Sequence, residues 1–234
     1  KFAANQLLEM HSEASKREKP IILELGVDRG QSTRVFLNAI DGKVGSVLIS
    51  IDINDCKNAV NSENWEFVQQ DSVDINLLLS KKPILKSGID ILYVDSLHTQ
   101  SHVMKEVYAY FEYMKPGGVI YFDDIDSGPY MKGQRKDSIN TEINNRNILL
   151  LLEAIFRANY SSLEFSVIQG STGLAKFVKQ SNLGDKLNPP LFINKRRFRI
   201  FWRILERLKL KKVYKHNNLT NDSFLIDLDK NSKN

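Results

Sequence analysis

Short apolar runs alternate with amphipathic stretches along the first 180 residues, and their spacing predicts most of the architecture. Phe2 to Arg17 has helical spacing (Phe2, Leu7, Leu8, Met10) and stops before Pro20. "IILELG" is a continuous apolar run closed by glycine, the pattern of a strand buried on both faces of a parallel sheet. "QSTRVFLNAI" then reads as a helix through Val35, Phe36, Ala39 and Ile40, and "SVLISIDI" and "NWEFVQQD" read as a second and third strand. "INLLLSKKPIL" reads as helix, "IDILYVD" as a fourth strand, and "HVMKEVYAYFEYM" as an amphipathic helix ended by Pro116-Gly117-Gly118. "GVIYFDD" is the fifth strand and "NILLLLEAIFRAN" a further helix. "EFSVIQGSTGLAKFVK" alternates around Gly170 and Gly173, the signature of a hairpin. Strands separated by helices at this rhythm predict an α/β, Rossmann-like doubly wound sheet, mostly parallel, seven-stranded and finished by an antiparallel hairpin.

Charge changes the picture only at the end of the chain. The sequence of 234 residues carries +5, yet ten basic residues and a single acid, Glu206, lie between Lys195 and Lys215. That segment is +9, which leaves the body at −4. The division expected is an N-terminal helix over 1–19, a catalytic-type domain over 20–180, a linker and basic amphipathic helix over 181–216, and a polar, poorly ordered tail over 217–234. A lone cysteine, Cys56, excludes an internal disulfide and a cysteine-based zinc cluster. No apolar stretch reaches bilayer length and no signal peptide is evident, so the expectation is a soluble, cytoplasmic protein. The chain starts at Lys1 rather than a methionine, which leaves an upstream segment open.

In a doubly wound sheet, ligands bind beyond the carboxyl ends of the strands, near the switch in strand order. Five successive strand ends here carry polar residues. The first gives Glu24, Gly26, Gly30 and Ser32, with glycines that admit close backbone approach and a helix start that offers free N–H groups. The second ends at Asp52, where an acid can accept both hydroxyls of a ribose. The third ends in Asp71-Ser72, the fourth in Asp95 and His98, the fifth in Asp123-Asp124. A nicotinamide-binding domain would want Gly-x-Gly-x-x-Gly. The loop is instead Gly26-Val27-Asp28-Arg29-Gly30, with an acid near the phosphate position, which favours a ligand without a diphosphate. S-adenosylmethionine suits such a loop, having a ribose, an adenine and a sulfonium cation.

Together "LELGVDRGQS", Asp52, "QDS" and "YVDSLHT…MKPGGVIYFDD" resemble class I S-adenosylmethionine-dependent methyltransferases. Nearest among them is the methyltransferase 24 family of metal-dependent sugar O-methyltransferases, of the macrocin and mycinamicin type. The similarity runs from about Pro20 to Lys179. The family's Asp-Gly-x-His appears as Asp95-Ser96-Leu97-His98, with serine in place of glycine, which puts the path of that loop in question. The resemblance implies that Glu24, Gly26 and Ser32 line the methionine end, Asp52 the ribose, and Asp71 with Ser72 the adenine, with Gly30 also among the cofactor-binding residues. It implies that Asp95, Asp123 and Asp124 bind a divalent cation and that His98 is the general base. His102, one helical turn on, reads as a helix-surface residue or a weak substitute for His98.

Three carboxylates without sulfur form a hard oxygen site that suits Mg²⁺. The resemblance implies methyl transfer from S-adenosylmethionine to a sugar hydroxyl, with a polysaccharide, or a lipid-linked or nucleotide-linked precursor, as the expected acceptor. A catechol-like small-molecule O-methyltransferase is the alternative, and a non-catalytic binding protein of the same fold a third. The segment from Asp124 to Asn140 reads as a lid or acceptor loop, with Lys132, Arg135 and Lys136 as anion contacts. In 195–215, Phe198, Phe201, Trp202, Leu205 and Leu208 form one stripe opposite Arg196, Arg199, Arg203 and Arg207. Such a helix suits the anionic inner face of the cytoplasmic membrane, with packing on its own domain or on a second copy in a homo-oligomer, and nucleic acid, as lesser readings.

Overall fold

The structure is a computed structural model and describes residues 2–126, 139–168, 170–193 and 204. Seven strands form one sheet: β1 (Ile21–Leu25), β2 (Val47–Asp52), β3 (Trp65–Gln69), β4 (Ile89–Val94), β5 (Met114–Phe122), β6 (Leu163–Ile168) and β7 (Leu174–Lys179). Their order is β3-β2-β1-β4-β5-β7-β6. The first five are parallel, and β7 runs antiparallel to both its neighbours. The chain winds outward from β1 to β3, then returns to place β4 on the other side of β1. That reversal opens a crevice above the carboxyl ends of β1 and β4, where the polar strand ends gather.

The described helices are α1 (Phe2–Ser15), α2 (Gln31–Ala39), α3 (Ile75–Lys81), α4 (Gln100–Tyr110) and α5 (Ile139–Ala158). Central strands are buried on both faces, yet their side chains still sort by twos. Ile22, Leu48, Ile91, Tyr93 and Tyr121 pack with Met10, Ala14, Phe36 and Ile40 on the α1 and α2 side. Leu23, Ile49, Leu92, Val94 and Phe122 pack with Val103, Val107, Leu151 and Ile155 on the α4 and α5 side. α1 is also latched to the end of the chain's sheet: Gln6 Nε2 donates to the Gly170 carbonyl at 2.7 Å, and Lys176 pairs with Glu9 at 2.7 Å.

Three local expectations are corrected. Pro83 has no N–H to continue α3, so the predicted helix 75–85 splits into α3 and a 3-10 turn over Pro83–Ser87. The helix before Pro116 ends early: Phe111–Tyr113 is 3-10 and Met114 already pairs with Ile89. Pro116-Gly117-Gly118 therefore lies inside β5 as a bulge, with the register shifting between the Ile89–Met114 and Ile91–Val119 pairs. α5 begins at Ile139, earlier than its apolar run suggested.

Most of the loop 124–140, the basic segment 195–215 apart from Ile204, and the polar tail lie outside the described residues. Among the described residues no helix is long and apolar enough to cross a membrane.

Candidate active site

A cavity of about 450 Å³ sits over the carboxyl ends of β1 to β4. Of the residues read from the sequence, Gly26, Asp52, Asp71, Ser72 and Asp95 line it, together with Val27, Ile53, Asn54, Leu97 and His102. Glu24, Gly30 and Ser32 do not line it; they build the floor beneath.

Glu24 is fully buried on β1 and accepts from three hydroxyls: Ser32 at 2.5 Å, Ser50 at 2.6 Å and Thr33 at 2.8 Å. Burial pushes its pKa up to about 7, with the three hydroxyls pulling the other way. The network welds β1, β2 and the first turn of α2 together. Ser32 is thus a partner of Glu24, and Gly30, at φ 72°, is the left-handed residue that lets α2 begin there. Gly26 is needed for a reason the sequence did not show. A Cβ on it would lie 2.1 Å from the Asp95 carbonyl oxygen, so the crowding comes from the β4 end of the protein itself.

Asp52 closes the loop between β1 and α2. Its Oδ2 accepts from the Val27 and Asp28 amides at 2.9 and 3.3 Å, and its Oδ1 from the Asn54 amide at 2.8 Å. Burial tends to raise its pKa, and the three backbone donors outweigh that and hold it below the usual carboxylate value. Asp52 thus stays ionised at the cavity wall with lone pairs to spare for hydroxyl donors.

Beyond Asp95 the cavity meets a compact acidic cluster. His98 Nε2 lies 2.9 Å from Asp95 Oδ1, and its Nδ1 is 3.6 Å from Asp124 Oδ2. The buried Tyr93 hydroxyl lies 2.6 Å from Asp123 Oδ2 and 3.2 Å from Asp95 Oδ2. Asp124 is in the left-handed region at φ 54°, with its amide donating to Asp123 Oδ1 at 2.7 Å. Burial raises the Asp95 carboxyl, and burial with the neighbouring Asp95 and Asp124 charges lifts Asp123 to about 6. Burial opposes a charge on His98, yet the Asp95 bond and the surrounding carboxylates win and raise it to about 9. The cluster is short of positive charge, and imidazolium supplies some of it.

An all-oxygen set so crowded with negative charge suits a hard divalent cation chemically. The arrangement does not present such a set ready-made, because the His98 ring stands between Asp95 and Asp124. Among the described residues, no group of three or more His, Cys, Asp or Glu is set to hold a metal ion.

The sequence reading missed several members. Tyr93, two residues before Asp95, joins two of the carboxylates. His102 is partly buried: it lines the cavity and lies 3.2 Å from the buried Glu106. Ser72 and Ser96 both donate to Glu106 Oε1, at 2.6 and 2.5 Å, so the Ser72 hydrogen is committed to Glu106. The same contact explains the serine at position 96 where the family has glycine. The His102–Glu106 spacing of four on a helix was the available signal.

Residues 23–125, spanning β1 to the acidic pair, match the profile of the methyltransferase 24 family, described as a methyltransferase domain. Over these residues the chain is similar to a methyltransferase domain. Solved methyltransferases share its fold. The MycE methyltransferase of the mycinamycin biosynthetic pathway, solved with Mg and SAH, aligns at 19% identity and a TM-score of 0.53. The match covers 79% of this chain and 51% of that one, so this chain spans about half of MycE. The O-methyltransferase TomG from Streptomyces achromogenes, of tomaymycin synthesis and solved with SAM, aligns at 19% identity and 0.56, covering 76% and 81%. CalS11, a TDP-rhamnose 3'-O-methyltransferase of calicheamicin biosynthesis, aligns at 13% and 0.54, covering 76% and 80%. No curated protein sequence matches.

Proposed function

We propose that this methyltransferase transfers the methyl group of S-adenosylmethionine to a hydroxyl of a sugar-containing acceptor, with Mg²⁺ as the metal. The observation that carries the reading is the position of Asp95, which is both a wall of the nucleoside-sized cavity and a member of the imidazole–carboxylate cluster. A cofactor in the cavity would therefore bring its sulfonium end to a proton acceptor and a set of carboxylates. The Mg in the MycE structure and the TDP-rhamnose substrate of CalS11 support the finer part.

In this reading Asp52 accepts the ribose hydroxyls, and the acidic lining favours the sulfonium cation. Mg²⁺, held by Asp95, Asp123 and Asp124, would supply Lewis acidity to the acceptor oxygen. S-adenosylmethionine, when bound, would supply the methyl group to the hydroxyl oxygen, with the electron pair of the broken sulfur–carbon bond staying on sulfur. With a divalent cation supplying the positive charge that the imidazolium otherwise provides, a neutral His98 would take the hydroxyl proton. Its Nε2 is hydrogen-bonded to Asp95, which leaves Nδ1, 3.6 Å from Asp124, as the nitrogen free to meet the acceptor. Asp95 thereby also orients the ring.

The test is incubation with methyl-labelled S-adenosylmethionine and a panel of glycosides, sugar nucleotides and catechols, with Mg²⁺ or with chelator. Label on a sugar hydroxyl, lost in chelator, is expected. Transfer undiminished by chelator removes the metal, preference for catechols removes the sugar, and failure to bind the cofactor removes the whole reading.

A further inference from the structure

The segment after β5 leaves the sheet at Asp123, whose amide donates to the Val94 carbonyl at 3.1 Å. It is next fixed at Asp126, whose amide donates to the Thr172 carbonyl at 2.6 Å. Between these two points Asp124 holds a left-handed backbone, φ 54°, which a residue with a side chain rarely keeps unaided. The geometry of the acidic pair therefore depends on where the Asp126 end is held, and the turn between β6 and β7 holds it. The Thr172 hydroxyl also stands 3.5 Å from Asp123 Oδ1. Gly173 lies flush against the same segment: a Cβ on it would come 2.7 Å from Asp126 Cβ and 3.0 Å from the Asp126 nitrogen.

That turn is poorly suited to hold anything by itself. Gly170, Ser171 and Gly173 all have positive φ, at 115°, 48° and 79°, and the two glycines have much backbone freedom to lose. Its internal bond, from the Gly173 amide to the Gly170 carbonyl at 2.8 Å, ends on an oxygen that also receives Gln6 Nε2 at 2.7 Å. Gln6 is 164 residues away in the chain and buried on α1, where an apolar side chain would satisfy packing alone. A buried amide is kept where it has a bond to make, and here that bond fixes the turn. Gln6, Gly170, Thr172 and Gly173 all lie outside the cavity lining.

We propose that Gln6 is a positioning residue for methyl transfer: through the Gly170–Gly173 turn it sets the place of Asp126, and with it the Asp123–Asp124 pair. The first helix thus governs turnover from outside the cofactor cavity. The proposal rests on the role given above to the acidic pair.

Two variants of the full chain test it. Gln6→Met removes the donor and keeps the volume, and Gly173→Ala drives a methyl group into Asp126. Hydrogen exchange should quicken in the peptide that holds the Asp126 amide, while peptides from β1 and β4 keep their protection. Turnover on the glycoside selected by the labelled-methyl panel should fall about tenfold in Gln6→Met and about 10²-fold in Gly173→Ala, as for a misplaced catalytic group, with calorimetric SAH affinity within about twofold of wild type. Unchanged exchange at Asp126 in Gln6→Met overturns the proposal, and so does faster exchange with undiminished kcat. A parallel loss of SAH affinity and of protection in β1 and β4 marks a merely structural role and overturns it too. Should Gly173→Ala fail to fold, Gln6→Met alone decides. A wild-type chain that methylates no member of the panel removes the proposed function and this proposal with it. Wild-type turnover that Gln6→Met retains in full removes only the present proposal.

Discussion

Gly26 and Asp95 touch backbone to backbone: the missing Cβ of the first would lie 2.1 Å from the carbonyl oxygen of the second. Gly26 also sits at φ 99°, a conformation L side chains rarely adopt. Gly26→Ala is therefore expected to destabilise the fold by on the order of 2–4 kcal/mol and to push the Asp95 loop out of place. Urea unfolding measures the first effect. A wild-type midpoint in the alanine variant would refute the contact.

Glu24 gives a pH dependence of definite sign. Its folded pKa, about 7, lies above its ordinary value of 4.5 because of burial, so the folded state keeps a proton the unfolded state gives up. Its contribution is whole below pH 4.5, falls as pH rises towards 7, and is level above that. Glu24→Gln keeps the shape without the charge. Relative to wild type it should gain stability between those limits, by on the order of 2–3 kcal/mol at pH 8. Parallel melting profiles from pH 4 to 8 read this out, and parallel wild-type and variant curves would contradict it.

The cavity and the acidic cluster should come apart under mutation. Asp124 lies outside the cavity lining, and its left-handed backbone is one that asparagine tolerates. Asp124→Asn and His98→Gln are expected to bind SAH within about twofold of wild type. Turnover should fall by about 10²–10⁴ in the His98 variant, as for a lost general base. Calorimetry beside a labelled-methyl assay separates the two quantities. A matching loss of affinity would merge the sites.

Tyr93→Phe removes the hydroxyl that serves Asp123 at 2.6 Å and Asp95 at 3.2 Å. Leaving buried carboxylates without that donor should cost about 1–3 kcal/mol, seen as a lower melting temperature with the cofactor affinity little changed.

The parallel strands were legible because each is a short apolar run bounded by turn residues, and the strand-order rule then assigned the polar ends to one crevice. That logic located Asp52 and Asp95 on the cavity wall. It could not tell lining from floor. Glu24 lies between Leu23 and Leu25 on a strand buried on both faces, so alternation gives no hint that its carboxylate points at Ser32, Ser50 and Thr33. The Pro-Gly-Gly signal was real, but a bulge and a turn use the same residues for the same freedom of backbone. Glu106 escaped notice because a buried acid on an amphipathic helix looks, residue by residue, like one more solvated charge.

The sheet order also constrains how the chain can be made. β7 lies between β5 and β6, although β6 comes before it in the chain. During synthesis β6 has no place in the sheet until β7 emerges, so the hairpin must dock as a unit on the waiting edge of β5. That docking brings Thr172, whose carbonyl accepts from the Asp126 amide at 2.6 Å, and Gly170, which receives Gln6 from the first helix. The nucleoside-sized cavity, built from β1 to β4, can form on the ribosome before this moment; the bracing of the acidic loop after β5 cannot. A polypeptide stopped before Leu163 would keep the pocket and lose the brace, leaving β5 as a bare, sticky edge.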